Sequence, residues 1–496
     1  MIGIILAAGV GSRLRPMTNS KPKCLVTTAG KPVLQYQIDS YIEAGFSEVV
    51  IVVGYEGSAI KEYCKHIKDI QITIIENPDY ETTNNMYSLY LTKNHIAGKS
   101  FILNNADLSI DRQIVKKLLE NQASDAIAVD RTIFNDESMK ISVRDNGTIS
   151  DISKKIPETE SYGCSIDFYK FSASASEVFL QEITRIIEEE KNLKDWTEVA
   201  MQRLFQQERL QFAPCDISGL DWVEIDNYED LALSDRKFSN LDKKIGEVEN
   251  FFFDLDGTVY VGNSPIEGAA KTIQKLQENG KNVFFLSNNS SKSKIDYIER
   301  LKQFGIETSS SQIILSTDAL VQYLHKERVT SIHVLGTNSL KKTLLDEGFQ
   351  IDSATPEYVV LGYDTELNYQ KLITACKYIN EGTDILATHC DMFCPSEYGP
   401  IPDIGATLEM IRLTTGKSPK KVFGKPSKDM IDFIIKSRNL ISDKTIIIGD
   451  RLHTDILMAK KINTLSMLVL TGESTRDQLE LSETQPDFVL NSISDL

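Results

Sequence analysis

The 496-residue chain has no apolar run approaching the ~20 residues that a bilayer-spanning helix needs. It has no basic excess: 54 Lys and Arg stand against 71 Asp and Glu, a net charge of −17 that argues against nonspecific nucleic-acid binding. An acidic balance still allows a local basic pocket for phosphate. No basic lead or small-residue cleavage site precedes the first apolar run, so no secretory signal is read. The cysteines form no paired framework. There are seven, Cys24, Cys64, Cys164, Cys215, Cys376, Cys390 and Cys394, scattered and odd in number, as expected for reduced thiols in cytoplasm. His389, Cys390 and Cys394 lie close together, but structural zinc wants four ligands and no second pair is near. Tryptophan is scarce, with Trp196 and Trp222 alone, which leaves little material for an aromatic cage around a quaternary ammonium.

What is present is ordinary globular composition, 41% hydrophobic and 25% charged, over a length that should hold more than one core. The first informative stretch runs from Ile4 to Leu25. An apolar run reads as a buried strand, then ends in Ala7-Ala8-Gly9-Val10-Gly11. Glycines there let backbone N–H groups turn toward an anion and let it approach closely. Arg13 and Lys23 add positive charge, and small residues leave room for a flat base. A nucleoside triphosphate suits this arrangement. The P-loop does not, because Gly-Lys-Ser/Thr is missing.

Helices and strands then alternate: helix over Pro32–Ala44, strand over Val49–Val53, helix over Ile60–His66, strand over Ile72–Ile75. Strands apolar throughout imply a mostly parallel sheet covered on both faces, with ligands at the strands' carboxyl ends. Asn84 and Asn85 can donate and accept, as reading a base or head group requires; the alternative is a helix cap by Asn85. Phe101 to Asp107 reads as a strand ending in a carboxylate, and Asp226 is a second carboxylate in a similar setting. Mg²⁺ usually takes one or two carboxylates plus phosphate oxygens. Trp196, Trp222, Tyr162 and Tyr87 are candidate walls for an acceptor, with core packing as the plainer alternative.

Leu-Ala-Ala-Gly-x-Gly-x-Arg-Leu-x-Pro-x-Thr, followed by Lys-Pro-Lys-x-Leu, resembles the signature of nucleotidyltransferases that make activated sugars and alcohols. The resemblance covers residues 1–238. It implies a GT-A-like, Rossmann-like α/β sheet with Mg²⁺ held by Asp107 and Asp226. Thr-Asn-Asn-x-Tyr-Ser-Leu, ending at Leu89, is most similar to the phosphocholine and alcohol-phosphate cytidylyltransferase branch, which implies CTP as donor. By position, Leu6, Ala8 and Gly9 would border the base, with Asn84 and Asn85 also nucleotide-binding. Gly11 and Arg13 would meet the triphosphate, and Lys23 the reacting phosphates. Asn104 to Asp107 departs from the Gly-Asp of many relatives.

Ser234 to Glu249 is charged and weakly patterned, and reads as the domain boundary. At Asn250 the pattern restarts as an aromatic strand ending in Asp254-Leu255-Asp256-Gly257-Thr258. Positions i and i+2 of a strand share a face, so Asp254 and Asp256 should point together. Two adjacent carboxylates invite Mg²⁺ or a proton, and suit covalent phosphoryl transfer. Val283 to Asn289 reads as a strand ending in a hydroxyl, Phe423 to Pro426 supplies a lysine, and Thr445 to Asp455 is a strand ending in paired carboxylates.

That ordered set resembles the haloacid dehalogenase superfamily of phosphatases over residues 248–496. It implies a Rossmann-like core with Asp254 as nucleophile, Asp256 as general acid/base, and Ser287 and Lys425 holding the phosphoryl group. Asn288 and Asn289 are candidate substrate-binding residues. The implied Mg²⁺ ligands are Asp254, Asp256 through its carbonyl, Asp450 and Asp455. Ser287 stands where many relatives have Thr. The interval between Ser287 and Lys425 is long enough for an inserted α/β cap, placed at about 328–418. The resemblance is to the nitrophenyl- and glycerol-phosphate phosphatase class. His389 to Pro402 is the candidate specificity loop, with His389 where relatives commonly carry Asn.

The expectation is a cytoplasmic bifunctional enzyme. One domain transfers CMP onto a small phosphorylated alcohol, of the kind that decorates surface polysaccharide in this family. The other is a Mg²⁺-dependent phosphatase. Its partners are small phosphomonoesters and a nucleoside triphosphate, with no nucleic acid and no membrane insertion; a homo-oligomer is left open. The alternative enzyme is a sugar-1-phosphate nucleotidyltransferase fused to a nucleotide or sugar-phosphate phosphatase. The alternative outside enzymes is a scaffold with a retired domain, which the presence of Lys23, Asp107, Asp254 and Lys425 disfavours.

Overall fold

The computed structural model describes residues 1–134, 138–394, 399–438 and 440–496. The chain divides into two compact units, Met1–Phe238 and Ser239–Leu496.

The first unit is built on a nine-stranded sheet in which the strand Ile2–Ala7 is an interior strand. That strand runs parallel to Glu48–Val53 on one side and Phe101–Asn105 on the other. Its residues alternate between two cores: Ile4 and Leu6 pack on one face, Ile5 and Ala7 on the other. Both faces are apolar because helices cover both. The sheet is less parallel than the apolar runs suggest. Gly163–Phe171 runs antiparallel to Phe101–Asn105, Ala126–Asp130 and Lys140–Val143. The chain from Ala126 to Phe171 contributes four strands with little helix between them, and short turns join only antiparallel neighbours.

The segment read as a loose boundary is largely helical, with helices at Tyr228–Phe238 and Leu241–Glu247. Its few apolar residues are spent on packing. Phe238 packs against the first unit's core, while Leu241 and Val248 enter the second unit's.

The second unit holds two parallel sheets. Six strands run in the order Ile313–Leu315, Asn282–Ser287, Asn250–Asp254, Thr445–Gly449, Leu465–Val469, Phe488–Leu490. Asn250–Asp254 lies centrally, so Asp254, Ser287 and Asp450 come to the same sheet edge from three neighbouring strands. The five-stranded sheet Gln350–Ile351, Ser331–Leu335, Tyr358–Leu361, Asp384–Ala387, Lys421–Val422 is inserted between Ser287 and Lys425. Among the described residues no helix is long and apolar enough to cross a membrane. The seven cysteines are free thiols.

Candidate active sites

In the first unit a cavity of about 330 Å³ opens at the carboxyl end of Ile2–Ala7. Leu6, Ala8, Gly9, Arg13, Lys23, Asn84, Asn85, Asp107 and Asp226 line it. A Cβ on Gly9 would meet nothing within 4 Å, so the backbone there faces open space. Lys23 is the centre of charge. Its Nζ lies 2.9 Å from Asp107 Oδ2 and 2.8 Å from Asp226 Oδ1, and Arg13 donates to Asp226 Oδ2 at 3.0 Å. Burial opposes the Lys23 ammonium, but the two carboxylates outweigh it and hold its proton more tightly than in a free lysine. Burial would raise Asp226, and Lys23 and Arg13 overcome it to hold the carboxyl below the usual range.

Two expectations shift here. Gly11 is not among the cavity-lining residues. Its φ is +64° and a Cβ would stand 2.8 Å from Lys23 Cβ, so it makes room for the lysine stem. Asn84, not Asn85, caps the helix Asn85–Tyr90: its Oδ1 accepts from Asn85 N at 2.8 Å while its Nδ2 donates to the Lys194 carbonyl. Asn85 Oδ1 instead accepts from Thr197 N at 3.0 Å. Of the four aromatic candidates only Trp196 lines the cavity. Trp222 is buried and donates to Asp130 Oδ2 at 2.8 Å, Tyr87 donates to Asp79, and Tyr162 lies under the Arg131 guanidinium.

The sequence reading passed over Glu224, Asp167 and Glu198, all in this cavity. Glu224 comes within 4.8 Å of Asp107 and Asp226, carboxylate oxygen to carboxylate oxygen. Burial, then repulsion from those two aspartates, pushes it up to about 7. Its i, i+2 spacing from Asp226 was a readable signal. Three hard oxygen donors at this spacing suit Mg²⁺.

In the second unit Asp254, Asp256, Ser287, Asn288, Asn289 and Lys425 line a small cavity of about 40 Å³. Lys425 Nζ bridges Asp254 Oδ1 and Asp455 Oδ1, the latter at 2.7 Å. Asp254, Asp450 and Asp455 each bring a carboxylate oxygen within 4.8 Å of the others, all buried. Asp450 Oδ2 accepts from Glu473 N, but its buried Oδ1 has no hydrogen-bond partner among the described residues. An orphaned anionic oxygen inside a carboxylate triad fits a hard divalent cation. Glycines make this crowding possible: a Cβ on Gly257, whose φ is +94°, would stand 2.4 Å from Asp450 Oδ2. Burial raises Asp254 well above the ordinary carboxyl range; Lys425 opposes this, and Asp455 and Asp450 add to it. Burial, then Asp455, pushes Asp450 up to about 6.

Asp256 does not join the triad with its side chain; its Oδ2 accepts from the Tyr260 hydroxyl at 3.4 Å. Burial raises its pKa, against Arg300 and Arg451. Ser287 Oγ lies 3.1 Å from the Tyr297 hydroxyl. Asn288 is committed to Lys425, accepting from its N–H at 2.7 Å and donating to its carbonyl at 3.2 Å. Asn289 Oδ1 accepts from Ser291 N and Oγ. Both asparagines line the cavity, yet these bonds shape the loops around it.

The specificity loop contributes Asp391 and Cys394 to the cavity wall, and Asp403, just beyond its end, lines it too; residues 395–398 of the loop lie outside the described residues. His389 does not reach the cavity. It is fully buried, with Nε2 at 3.1 Å from Asp403 Oδ1 and Nδ1 at 3.1 Å from Thr388 Oγ1. Among the described residues the close donor group is His389, Asp391 and Asp403, and neither Cys390 nor Cys394 belongs to it. Asp391 already accepts from Asn288 and Arg451, and Asp403 from Ile404 N, so their charge is locally satisfied. Arg451, adjacent to Asp450, was the residue missed here.

Residues 2–233 match a family model described as nucleotidyl transferase. Residues 251–350 match one described as haloacid dehalogenase-like hydrolase, and 422–496 one described as HAD-hydrolase-like. The sugar-phosphatase AraL of Bacillus subtilis is 35% identical over 246 residues, 49% of this chain and 90% of its own. An acid sugar phosphatase of Staphylococcus haemolyticus is 27% identical over 248 residues, 50% of this chain and 94% of its own. The 4-nitrophenylphosphatase structure from Thermotoga maritima covers 51% of this chain and 97% of its own, with 35% identity and a TM-score of 0.49.

Proposed function

From the premise that the C-terminal half of the chain belongs to the haloacid dehalogenase-like hydrolases and the N-terminal half is a nucleotidyltransferase domain, we propose a bifunctional enzyme whose first site transfers CMP from CTP to a small phosphorylated alcohol and whose second hydrolyses a phosphomonoester through a phospho-aspartate. The transferase reading rests on Lys23, bridged between Asp107 and Asp226 in the cavity that Gly9 also lines. An acceptor phosphate oxygen attacks the α-phosphorus and pyrophosphate leaves. Lys23 and Arg13 offset the charge that spreads over the phosphates, and Gly9 lets the backbone approach them. Asp107, Glu224 and Asp226 would hold Mg²⁺ here, and Asp254, Asp450 and Asp455 would hold it in the second site. Bound there, Mg²⁺ supplies positive charge to phosphate oxygens. The preference for CTP rests on the resemblance of the run ending at Leu89.

The phosphatase reading rests on Asp254 paired with Lys425 beside Asp256, whose burial raises its pKa. Asp254 attacks phosphorus and the alcohol leaves with the proton of Asp256. Asp256 then takes a proton from the water that hydrolyses the aspartyl phosphate. Lys425 and Ser287 hold the phosphoryl oxygens. The sugar phosphatases among the chain's relatives support a sugar phosphate as substrate. A phosphatase that consumed the acceptor's only phosphate would oppose the transferase, so the two sites take different substrates or an acceptor with a second phosphate.

The test measures pyrophosphate release with Mg²⁺ and each ribonucleoside triphosphate against polyol phosphates, phosphocholine and sugar 1-phosphates, with free phosphate read in parallel. CTP with an alcohol phosphate should release pyrophosphate equally in wild type and Asp254→Asn, while free phosphate is lost in the variant. Release with UTP and a sugar 1-phosphate alone would sink the cytidylyl assignment.

A further inference from the structure

The transferase cavity contains a polar network that the chemistry at Lys23 does not use. Asp167 sits on the strand Gly163–Phe171 in a left-handed conformation, φ +58°, where the pairing register shifts between Ser165 and Tyr169. Its Oδ2 accepts from Asn105 Nδ2 at 2.8 Å, and its Oδ1 lies 2.8 Å from the Tyr169 hydroxyl. The same hydroxyl lies 2.8 Å from Glu198 Oε1, which also accepts from Thr197 Oγ1 at 3.0 Å. A phenol carries one hydrogen and cannot donate to two carboxylates. One carboxyl therefore holds a proton. Burial, then Glu198 and Glu224, raises Asp167 well above the ordinary carboxyl range.

Glu198 lines the cavity and is 3% exposed. Its Oε2 accepts no hydrogen bond among the described residues and is not among the fully enclosed unpaired atoms. It is thus a buried, oriented acceptor with a free oxygen toward the cavity. A carboxylate pinned in this way fits either a hydroxyl or a cation. The surroundings decide between them. Among the described residues only Trp196 and Tyr80 bring aromatic rings to the cavity, and the Lys154 ammonium already stands 5.3 Å from the Trp196 ring centre. A lysine over the one large ring disfavours a quaternary ammonium there, which needs several free π faces.

We propose that Glu198, pinned by Tyr169 and Thr197, is a specificity-determining residue of the transferase that accepts a hydrogen bond from an acceptor hydroxyl, and that the acceptor is accordingly a phosphorylated polyol rather than phosphocholine. This rests on the transferase reading above and goes beyond it in naming the chemical class of acceptor and the residue that reads it.

The test uses the full chain with Mg²⁺ and CTP, and compares glycerol 3-phosphate, glycerol 2-phosphate and ribitol 5-phosphate with phosphocholine and phosphoethanolamine. At least one polyol phosphate should exceed phosphocholine by about 100-fold or more in kcat/KM. Glu198→Gln should raise the KM for that polyol about 10- to 100-fold, as loss of a charge-assisted hydrogen bond does, and leave the KM for CTP within about twofold. Tyr169→Phe keeps the ring and removes the pinning hydroxyl, and should shift the same KM in the same direction. Preference for phosphocholine or phosphoethanolamine, or a polyol KM unmoved in both variants, would overturn the proposal. If no pair releases pyrophosphate, the transferase reading has failed separately, and calorimetry with glycerol 3-phosphate and ribitol 5-phosphate in Mg²⁺ and CTP decides. Binding weakened at least tenfold by Glu198→Gln supports the hydroxyl reader, and equal or absent binding overturns it.

Discussion

Arg451, beside Asp450 on the six-stranded core, donates to Asp391 of the inserted domain across 3.3 Å. Asn288 Nδ2 reaches the same carboxylate at 3.1 Å, so the specificity loop is tied to the core by one ion pair and one amide. Both charged side chains are largely buried, 14% and 12% exposed, and the cavity beneath them is small. Asp391→Ala should loosen that closure. The expected loss is ~1–2 kcal/mol, or about 5- to 30-fold in phosphatase kcat/KM, carried mainly by KM. Steady-state kinetics on a panel of phosphomonoesters would check it, and an unchanged KM would count against the tie.

Asp254, Asp450 and Asp455 are crowded together, with Lys425 bridging only two of them. Adding Mg²⁺ should raise the unfolding temperature of the second unit, by an amount equivalent to ~2.7 kcal/mol at a hundredfold excess over Kd. Asp450→Asn should remove most of that shift and most phosphatase activity, while pyrophosphate release stays intact. Thermal melts with and without chelator read the effect directly.

Gly11 makes space for Lys23. Gly11→Ala should cost ~1–2 kcal/mol for the left-handed backbone alone. The added methyl should also push Lys23 away from Asp107 and Asp226, so transferase kcat falls more than the KM for triphosphate rises. A variant affected only in triphosphate KM would return Gly11 to direct phosphate contact.

Burial, then repulsion from Glu198 and Glu224, raises the Asp167 carboxyl well above its ordinary range. Its folded pKa is raised, so its contribution is fully present below an unfolded pKa of ~3.9 and is lost as pH rises toward the folded value, by about 1.4 kcal/mol per pH unit. Asp167→Asn should remove that slope. Urea unfolding between about pH 4.5 and pH 7.5, followed by tryptophan fluorescence, isolates the effect, because both tryptophans, Trp196 and Trp222, lie in the first unit. Parallel profiles for wild type and variant would contradict the shared proton.

Much of the architecture was legible in the residues. Apolar runs such as Val49–Val53 and Phe251–Phe253 mark strands buried on both faces, because a strand covered twice has no polar side to show. Asp254 and Asp450 stand out because each ends or follows such a strand, where a parallel sheet gathers its ligands. Both domain types follow from these local motifs, since chemistry on phosphate needs particular residues at particular short spacings.

What only the tertiary structure decided depends on residues far apart in sequence. No spacing relates Lys23 to Asp226, Tyr169 to Glu198, or Asp391 to Arg451, yet each pair is in hydrogen-bond contact. The role of Gly11 likewise depended on where the Lys23 stem lies, and the antiparallel course of Gly163–Phe171 on which neighbours its turns could reach. Local motifs record what a residue can do, whereas burial and partner choice are set by the folded chain, and these assign the proton, the free carboxylate oxygen and the open face.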